Sequence, residues 1–172
     1  MKASRVILVA GIAAWLLSAA PGCQDTGRVK VHNWPPRPVD RVDEIVLRLT
    51  PPAPVNWDDR PGPDGLQVQV NFFQIDEPLS VTVKGSLELA LYEGHVGPED
   101  LAAAKPVWTW PYSRVQLAAQ AGRSAVGWGY AMRLAWNDRP PAGTTATLTA
   151  RYRSADGNVK AAKPLYVPLG PQ

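Results

Sequence analysis

The sequence holds one cysteine and two histidines in 172 residues, only 19% of them charged, and no run of lysine or arginine. One cysteine excludes a disulfide framework, and two histidines without a cysteine cluster leave no zinc site of the usual His/Cys kind. Basic residues scattered singly among acids make neither a nucleic-acid footprint nor a polybasic membrane patch. The nucleophiles are equally bare: no Gly-x-Ser-x-Gly and no workable Cys-His pair occurs, His32 lying in a proline-rich stretch and His95 in a glycine-flanked loop. No enzymatic activity and no cofactor are expected. With no crosslink or metal to staple it, the folded part must rest on a hydrophobic core, for which an apolar content of 45% suffices.

What is present begins with an export segment. Lys2 and Arg5 precede Val6 to Ala20, an uncharged and almost wholly apolar run. A stable bilayer span wants about 20 such residues, so this shorter run reads as the core of a signal peptide over residues 1–22. Ala20-Pro21-Gly22 then delivers Cys23, the single thiol, where the apolar run stops. The arrangement resembles a bacterial lipobox, although Ala20 stands where such motifs usually carry leucine. The resemblance implies acylation of Cys23 through sulfur, making it residue one of the mature protein. Ordinary secretory cleavage after small residues is the other reading of the same junction, and it leaves Cys23 as a free thiol. At about 0.8 kcal/mol per buried methylene, two or three acyl chains anchor durably where one binds marginally. The expected location is therefore the cell envelope, held to the membrane by lipid on Cys23. Gln24, standing where aspartate would mark inner-membrane retention in enteric lipoproteins, leaves the choice of membrane open.

Loss of residues 1–22 removes Lys2 and Arg5, taking Lys+Arg from 18 to 16 against 15 Asp+Glu, so what folds is close to neutral. Residues 23–40 show no apolar periodicity. Trp34 and the cluster Pro35-Pro36-Arg37-Pro38 give them the character of a tether, partly polyproline II. Residues 41–172 read as one domain.

Within that domain, short β-type runs alternate with turn signals too closely for crossover helices. Val42 to Leu49 is a first strand, stopped by Thr50-Pro51-Pro52-Ala53-Pro54. Leu66 to Ile75 alternates cleanly and then changes parity at Phe73 and Ile75, a sign of a bulge or of burial on both faces. Leu79 to Leu91 keeps one phase across Gly85, which either bends one strand or separates two. Pro98 to Lys105 is a helix candidate, with proline and acids at its start and lysine at its end. Val107 to Trp110 is a short strand with both tryptophans on one face, and Ser113 caps a second helical stretch to Gln120. Gly122 and Gly127 to Gly129 mark a loop, and Tyr130 to Trp136 a half-buried strand. The clearest hairpin joins Thr145–Arg153 to Val159–Leu169 through Ala155-Asp156-Gly157, with Ala146, Leu148, Ala150 and Tyr152 inward. Pro164 and Pro168 make its second arm an edge or interrupted strand. The sum is an all-β, antiparallel β-sandwich of immunoglobulin-like or C2-like size, with one or two short helices in the loops.

Three stretches carry a family resemblance: Pro63-Asp64-Gly65-Leu66, Val83-Lys84-Gly85-Ser86-Leu87 running to Leu91-Tyr92-Glu93, and Ser124-Ala125-Val126-Gly127 before an aromatic-rich strand. Together they resemble small uncharacterised bacterial envelope lipoproteins with a β-sandwich domain. The resemblance implies fold and location and assigns no catalytic residue.

Candidate chemistry is sparse. Asp58, Asp59 and Asp64 with loop carbonyls offer hard oxygen ligands for calcium, but without the acid spacing of an EF-hand loop. The favoured reading is a solvated strand entry stabilised by Asx-turns. Trp108, Trp110, Trp128, Tyr130 and Trp136 either fill the core or present rings to a glycan or a protein partner, with Trp128 in its Gly-Trp-Gly setting the one expected outside. Asp76-Glu77 and Glu99-Asp100 sit where turns and helix starts attract acids. The expectation is a monomeric, non-catalytic binding or structural module, partnered by the membrane through its lipid and by an envelope protein or glycan. A glycan module using exposed tryptophans, or a hydrolase built from distant carboxylates, are the alternatives.

Overall fold

A computed structural model describes residues 37–170 apart from Asp59 and Asp138. Residues 1–36, and with them Cys23, His32, Trp34 and the signal segment, lie outside the described residues. Nine strands and one short helix follow in order: β1 (Glu44–Leu49), β2 (Gly65–Phe73), β3 (Ser86–Glu93), β4 (Trp108–Tyr112), α1 (Arg114–Ala119), β5 (Ala121–Ser124), β6 (Gly127–Ala135), β7 (Thr145–Arg153), β8 (Val159–Ala161) and β9 (Leu165–Pro168). They form two antiparallel sheets packed face to face. The first runs β1-β2-β6-β5, and the second runs β4-β3-β7, with β8 and β9 in line along the outer side of β7. This is the expected all-β sandwich.

Period-2 alternation puts one face of each strand in the core. Leu66, Val68, Val70 and Phe72 of β2 are fully buried, as are Met132 and Leu134 of β6 opposite them, and they meet Leu89, Leu91 and Leu148 of the second sheet. At the centre, Phe72 makes an edge contact with Tyr130 at 5.4 Å and a tilted contact with Tyr152 at 5.3 Å, one ring from each sheet. Each such pair adds about 0.5–1.5 kcal/mol beyond its buried area. The two phenol oxygens are not left bare in this core. Tyr130 Oη accepts from Val83 N at 2.8 Å, and Tyr152 Oη accepts from Gly85 N at 3.0 Å while donating to the Asp40 carbonyl.

Those two tyrosines pin the place where the chain leaves the first sheet for the second. Residues 80–83 make only isolated bridges, Ser80 to Gly127, Val81 to Phe72 and Val83 to Val39, before β3 begins beyond Gly85. Gly85 thus separates two segments. A Cβ there would strike the Arg153 carbonyl and the Tyr152 ring, so the crossing needs glycine for room. Val39 N donates to Thr82 O and Val39 O accepts from Lys84 N, so the last residues of the expected tether already pack against the domain.

Three sequence expectations need correction. Pro98 to Lys105 forms consecutive turns, held by Asp100 N to Gly97 O and Ala104 N to Asp100 O, and not a helix. Ala102 and Ala103 are exposed, so there is no apolar face whose burial would hold a helix. Residues 122–129 are a hairpin, Gly122 opposite Gly129, and not a loop. Gly127 turns that hairpin at φ +119° beneath the backbone of Ser80, where no Cβ fits. Ile75 lies beyond the end of β2 and is 87% exposed, so the strand stops at Phe73, short of the expected bound. The β1–β2 register is continuous, without a bulge, and the consecutive buried residues Val70, Asn71 and Phe72 show the other expected reading, burial on both faces near the strand's end.

Candidate functional site

The sandwich has two long sides, and they differ. On one side the edge strand β4, whose Pro111 lacks a ladder donor, faces β6 where β5 has run out. Trp108, Trp110 and Tyr112 occupy alternate positions of β4 and are half-buried on one face. The two indoles lie nearly parallel, 17° apart with centroids at 6.2 Å. Their polar tips cross the gap: Trp110 Nε1 donates to Ala135 O at 2.9 Å, Trp108 Nε1 to Arg139 O at 3.0 Å and Tyr112 Oη to Arg133 O at 3.4 Å. These donors reach the carbonyls of Arg133 and Ala135, which lie past the end of the β5 pairing. Helix α1 closes the same side. Its capping box joins Ser113 and Gln116, and its single buried residue, Leu117, is fully enclosed beside β3 and β4.

On the other side β1 lies against β8 and β9. A groove of about 390 Å³ opens there, lined by Ile45 and Phe73 of the first sheet with the adjoining Asp43 and Ile75, and by Lys160 of β8 with Lys163 just beyond it. A second groove of about 270 Å³ continues past Lys160 between Arg41 and Tyr152 toward the Asp156 turn. Lys160 is in register with the buried Tyr152, so its side chain starts on the core face of β8 and enters the seam between the sheets. An inward-pointing charge on an edge strand is a recognised guard against uncontrolled pairing.

Three acids around these grooves, Asp40, Asp43 and Asp156, have nearby partners. Asp43 Oδ2 accepts from Ile75 N at 3.0 Å, and Arg41 stands 3.3 Å from Oδ1. That backbone N–H is the main cause, ahead of the Arg41 and Lys160 charges, holding the Asp43 carboxyl below its usual range. Asp40 pairs with Lys84 at 2.9 Å. Asp156 takes hydrogen bonds from Ser154 Oγ and from Asn158, first among them Ser154, which holds its pKa down as well. By contrast, among the described residues no ion pair engages Lys160, Lys163 or Glu44.

The residues singled out in the sequence fall elsewhere. Asp64 Oδ2 accepts from the backbone N–H groups of Trp57 and Asp58, and Asp58 Oδ1 from Arg60 N at 2.8 Å, with Asp59 outside the described residues. The loop is an Asx-turned strand entry with its carboxylates turned on its own backbone. Among the described residues no group of three or more His, Cys, Asp and Glu side chains gathers as a metal would need. Trp136 is buried, its Nε1 bonded to Pro63 O at 2.6 Å, and Tyr130 is core. Trp128, expected outside, is half-buried. Its carbonyl accepts from the buried Asn71, which also reaches Ser80 and Ser124 at 3.2 Å. Asp76, Glu77, Glu99 and Asp100 are exposed in turns, and His95 stacks on Tyr166 at 3.7 Å.

No family model matches the chain, and neither does any curated protein or solved structure. Among the described residues no helix is long and apolar enough to cross a membrane. The seam residues Asp43, Ile75, Lys160 and Lys163 were missed by sequence reasoning. The available signal was Lys160 itself: pairing outward from the Asp156-Gly157 turn sets a lysine opposite Tyr152, at a position whose alternation calls for an apolar side chain.

Proposed function

We propose that the protein is an exported lipoprotein of the cell envelope, cleaved before Cys23 and anchored by acyl chains on that cysteine, and that it works by binding rather than by catalysis. The observation that carries this reading is the position of the single thiol, directly after small residues and at the end of an uncharged apolar run too short to span a bilayer. The domain's ionisable groups support the non-catalytic half. Its lowered carboxyls are shifted by local hydrogen bonds, Asp43 chiefly by the Ile75 N–H beyond the end of β2 and Asp156 chiefly by Ser154 in its own turn, and its raised phenols, Tyr112, Tyr130 and Tyr152, chiefly by burial among packed side chains. A glycan platform has less support, because Trp108, Trp110 and Trp136 spend their N–H groups on backbone carbonyls within the domain.

The test is metabolic labelling of cells with an alkyne analogue of palmitate. The wild-type chain takes the label and sediments with membranes, and Cys23→Ser abolishes the label and releases the chain. Equal labelling of both, or a wild-type chain found soluble and unlabelled, overturns the anchor.

A further inference from the structure

We infer that the end of the sandwich through which the chain enters is a membrane-contact surface, with Ile75, Leu79, Val115 and Val159 set into the headgroup layer of the bilayer. This surface rests on the lipid-anchor reading and deepens it, from a domain tethered near a membrane to a domain that binds it by one end.

The fold fixes which end that is. Val39 bridges Val83 in parallel, and Val83 runs on through Gly85 into β3, so both segments head into the sandwich from the same end. Arg37, the first described residue, leads in there, fourteen positions after Cys23. Glu44 and Phe73 close the first sheet at this end, and Ser86, Tyr112 and Arg153 close the second. A linker of that length reaches about 50 Å at most. β2, nine residues long, puts the opposite end about 30 Å further off, so the entry end is the one that meets the membrane with the linker slack.

The apolar surface supplies the second argument. Single exposed apolar residues are ordinary on a domain surface, but here the two barest large ones, Ile75 at 87% and Val115 at 79%, share the entry end. Ile75 and Leu79 belong to the turn between Phe73 and the Ser80 bridge to Gly127. Val115 stands in the first turn of α1, just past Tyr112, and Val159 opposes Arg153 at the start of β8. Asn158 O and Ala162 N bond to β7, so the N–H and C=O groups of Val159 and Ala161 point outward and are left to solvent. Charge at this end is mixed: Arg41 pairs with Asp43, Lys84 pairs with Asp40, and the exposed Asp76 and Glu77 share the turn with Ile75. Apolar burial therefore drives the contact, and not attraction to anionic lipid. The two carboxylates beside Ile75 keep it shallow, since they stay among the headgroups.

The experiment places the acylated chain purified from membranes, methyl-labelled at isoleucine, leucine and valine, in nanodiscs of phosphatidylcholine carrying a nitroxide on the headgroup. The relaxation that the nitroxide adds is expected to be at least fivefold greater at the methyls of Ile75, Leu79, Val115 and Val159 than at those of Val55 and Val107, which lie at the opposite end beside Gly65 and Leu91. Ile75→Ser combined with Val115→Ser, both exposed positions outside the core, is expected to bring the two ends within twofold. Equal relaxation at both ends, a larger effect at Val107, an unchanged ratio in the double variant, or an effect that needs anionic lipid overturns the proposal. Palmitate labelling at Cys23 is read separately. A labelled chain with equal relaxation at both ends removes the contact surface and leaves the anchor standing, whereas an unlabelled, soluble chain removes both.

Discussion

Along one side of the sandwich, Trp108, Trp110 and Tyr112 fill the space between β4 and β6 and donate to the carbonyls of Arg139, Ala135 and Arg133, with Leu117 enclosed beside β3 and β4. Along the other, between β1 and β8, the gap holds a groove bordered by Asp43, Ile75 and Lys160, and β8 offers bare backbone groups. Both sides face the same problem, an edge strand beside an incomplete neighbour. Aromatic rings solve it by burial plus a polar tip, since one side chain covers apolar surface and satisfies a carbonyl together. Charge and brevity manage it on the other side, keeping the edge soluble without sealing it. The first solution adds stability, and the second leaves a surface available.

The sharpest way to break the comparison is Trp110→Ala. Removing a packed indole and uncovering the Ala135 carbonyl should cost about 2–4 kcal/mol in urea unfolding. A loss below about 1 kcal/mol would show that the aromatic side is not sealed as described. Trp110→Phe keeps most of the packing and drops only the N–H, so a cost near 1 kcal/mol is expected by the same measurement.

A pH titration sharpens the comparison further because it acts on the two sides from opposite ends of the scale. Burial raises the Tyr112 phenol above its ordinary value of about 10, and the core phenols of Tyr130 and Tyr152 likewise. The unfolded chain then ionises first, so stability is full below about pH 10 and falls as pH rises through the folded values. Tyr112→Phe should flatten that alkaline loss. Asp43, lowered chiefly by the Ile75 N–H, contributes in the other direction: its share is full above the usual carboxylate range and is lost as pH falls through its folded value. Asp43→Asn should therefore blunt the acid loss and leave the alkaline limb unchanged. The smallest effects belong to the open side. Ile75→Ala and Lys160→Ala should each stay within about 0.5 kcal/mol of wild type, as exposed positions do. A loss of more than about 1 kcal/mol from either would mean that the seam is already closed.

What the sequence made legible follows from how local each signal is. The β7–β8 hairpin was plain because Asp156-Gly157 supplies turn chemistry between two alternating runs, and the inward set Ala146, Leu148, Ala150 and Tyr152 is buried as its phase requires. Of the two helix candidates only the stretch after Ser113 forms a helix, and the reason is physical. Pro98 to Lys105 has better helix formers, but its alanines face water, whereas the stretch after Ser113 has one leucine with a pocket to fill. Gly122, Gly127 and Gly129 read as a loop because glycine is a turn signal. In the folded chain Gly129 is needed inside a strand, since a Cβ there would run into the amides of Gln69 and Asn71. The tryptophans were recognisable as a set, but their division into sealing, core and hairpin roles depends on which carbonyls lie opposite. That information belongs to the pairing of β4 with β3 and the early end of β5. The open seam was invisible for the same reason: Ile75 and Lys160 are distant in the chain and meet only because β1 and β8 are edges on the same side.

The contrast between a finished side and an unfinished one is tested most directly by hydrogen exchange read residue by residue on a single sample of the full chain. The account predicts slow exchange for the indole N–H of Trp110 and fast, nearly unprotected exchange for the backbone N–H groups of Val159 and Ala161. A rapidly exchanging Trp110 indole together with protected amides at Val159 and Ala161 would contradict it.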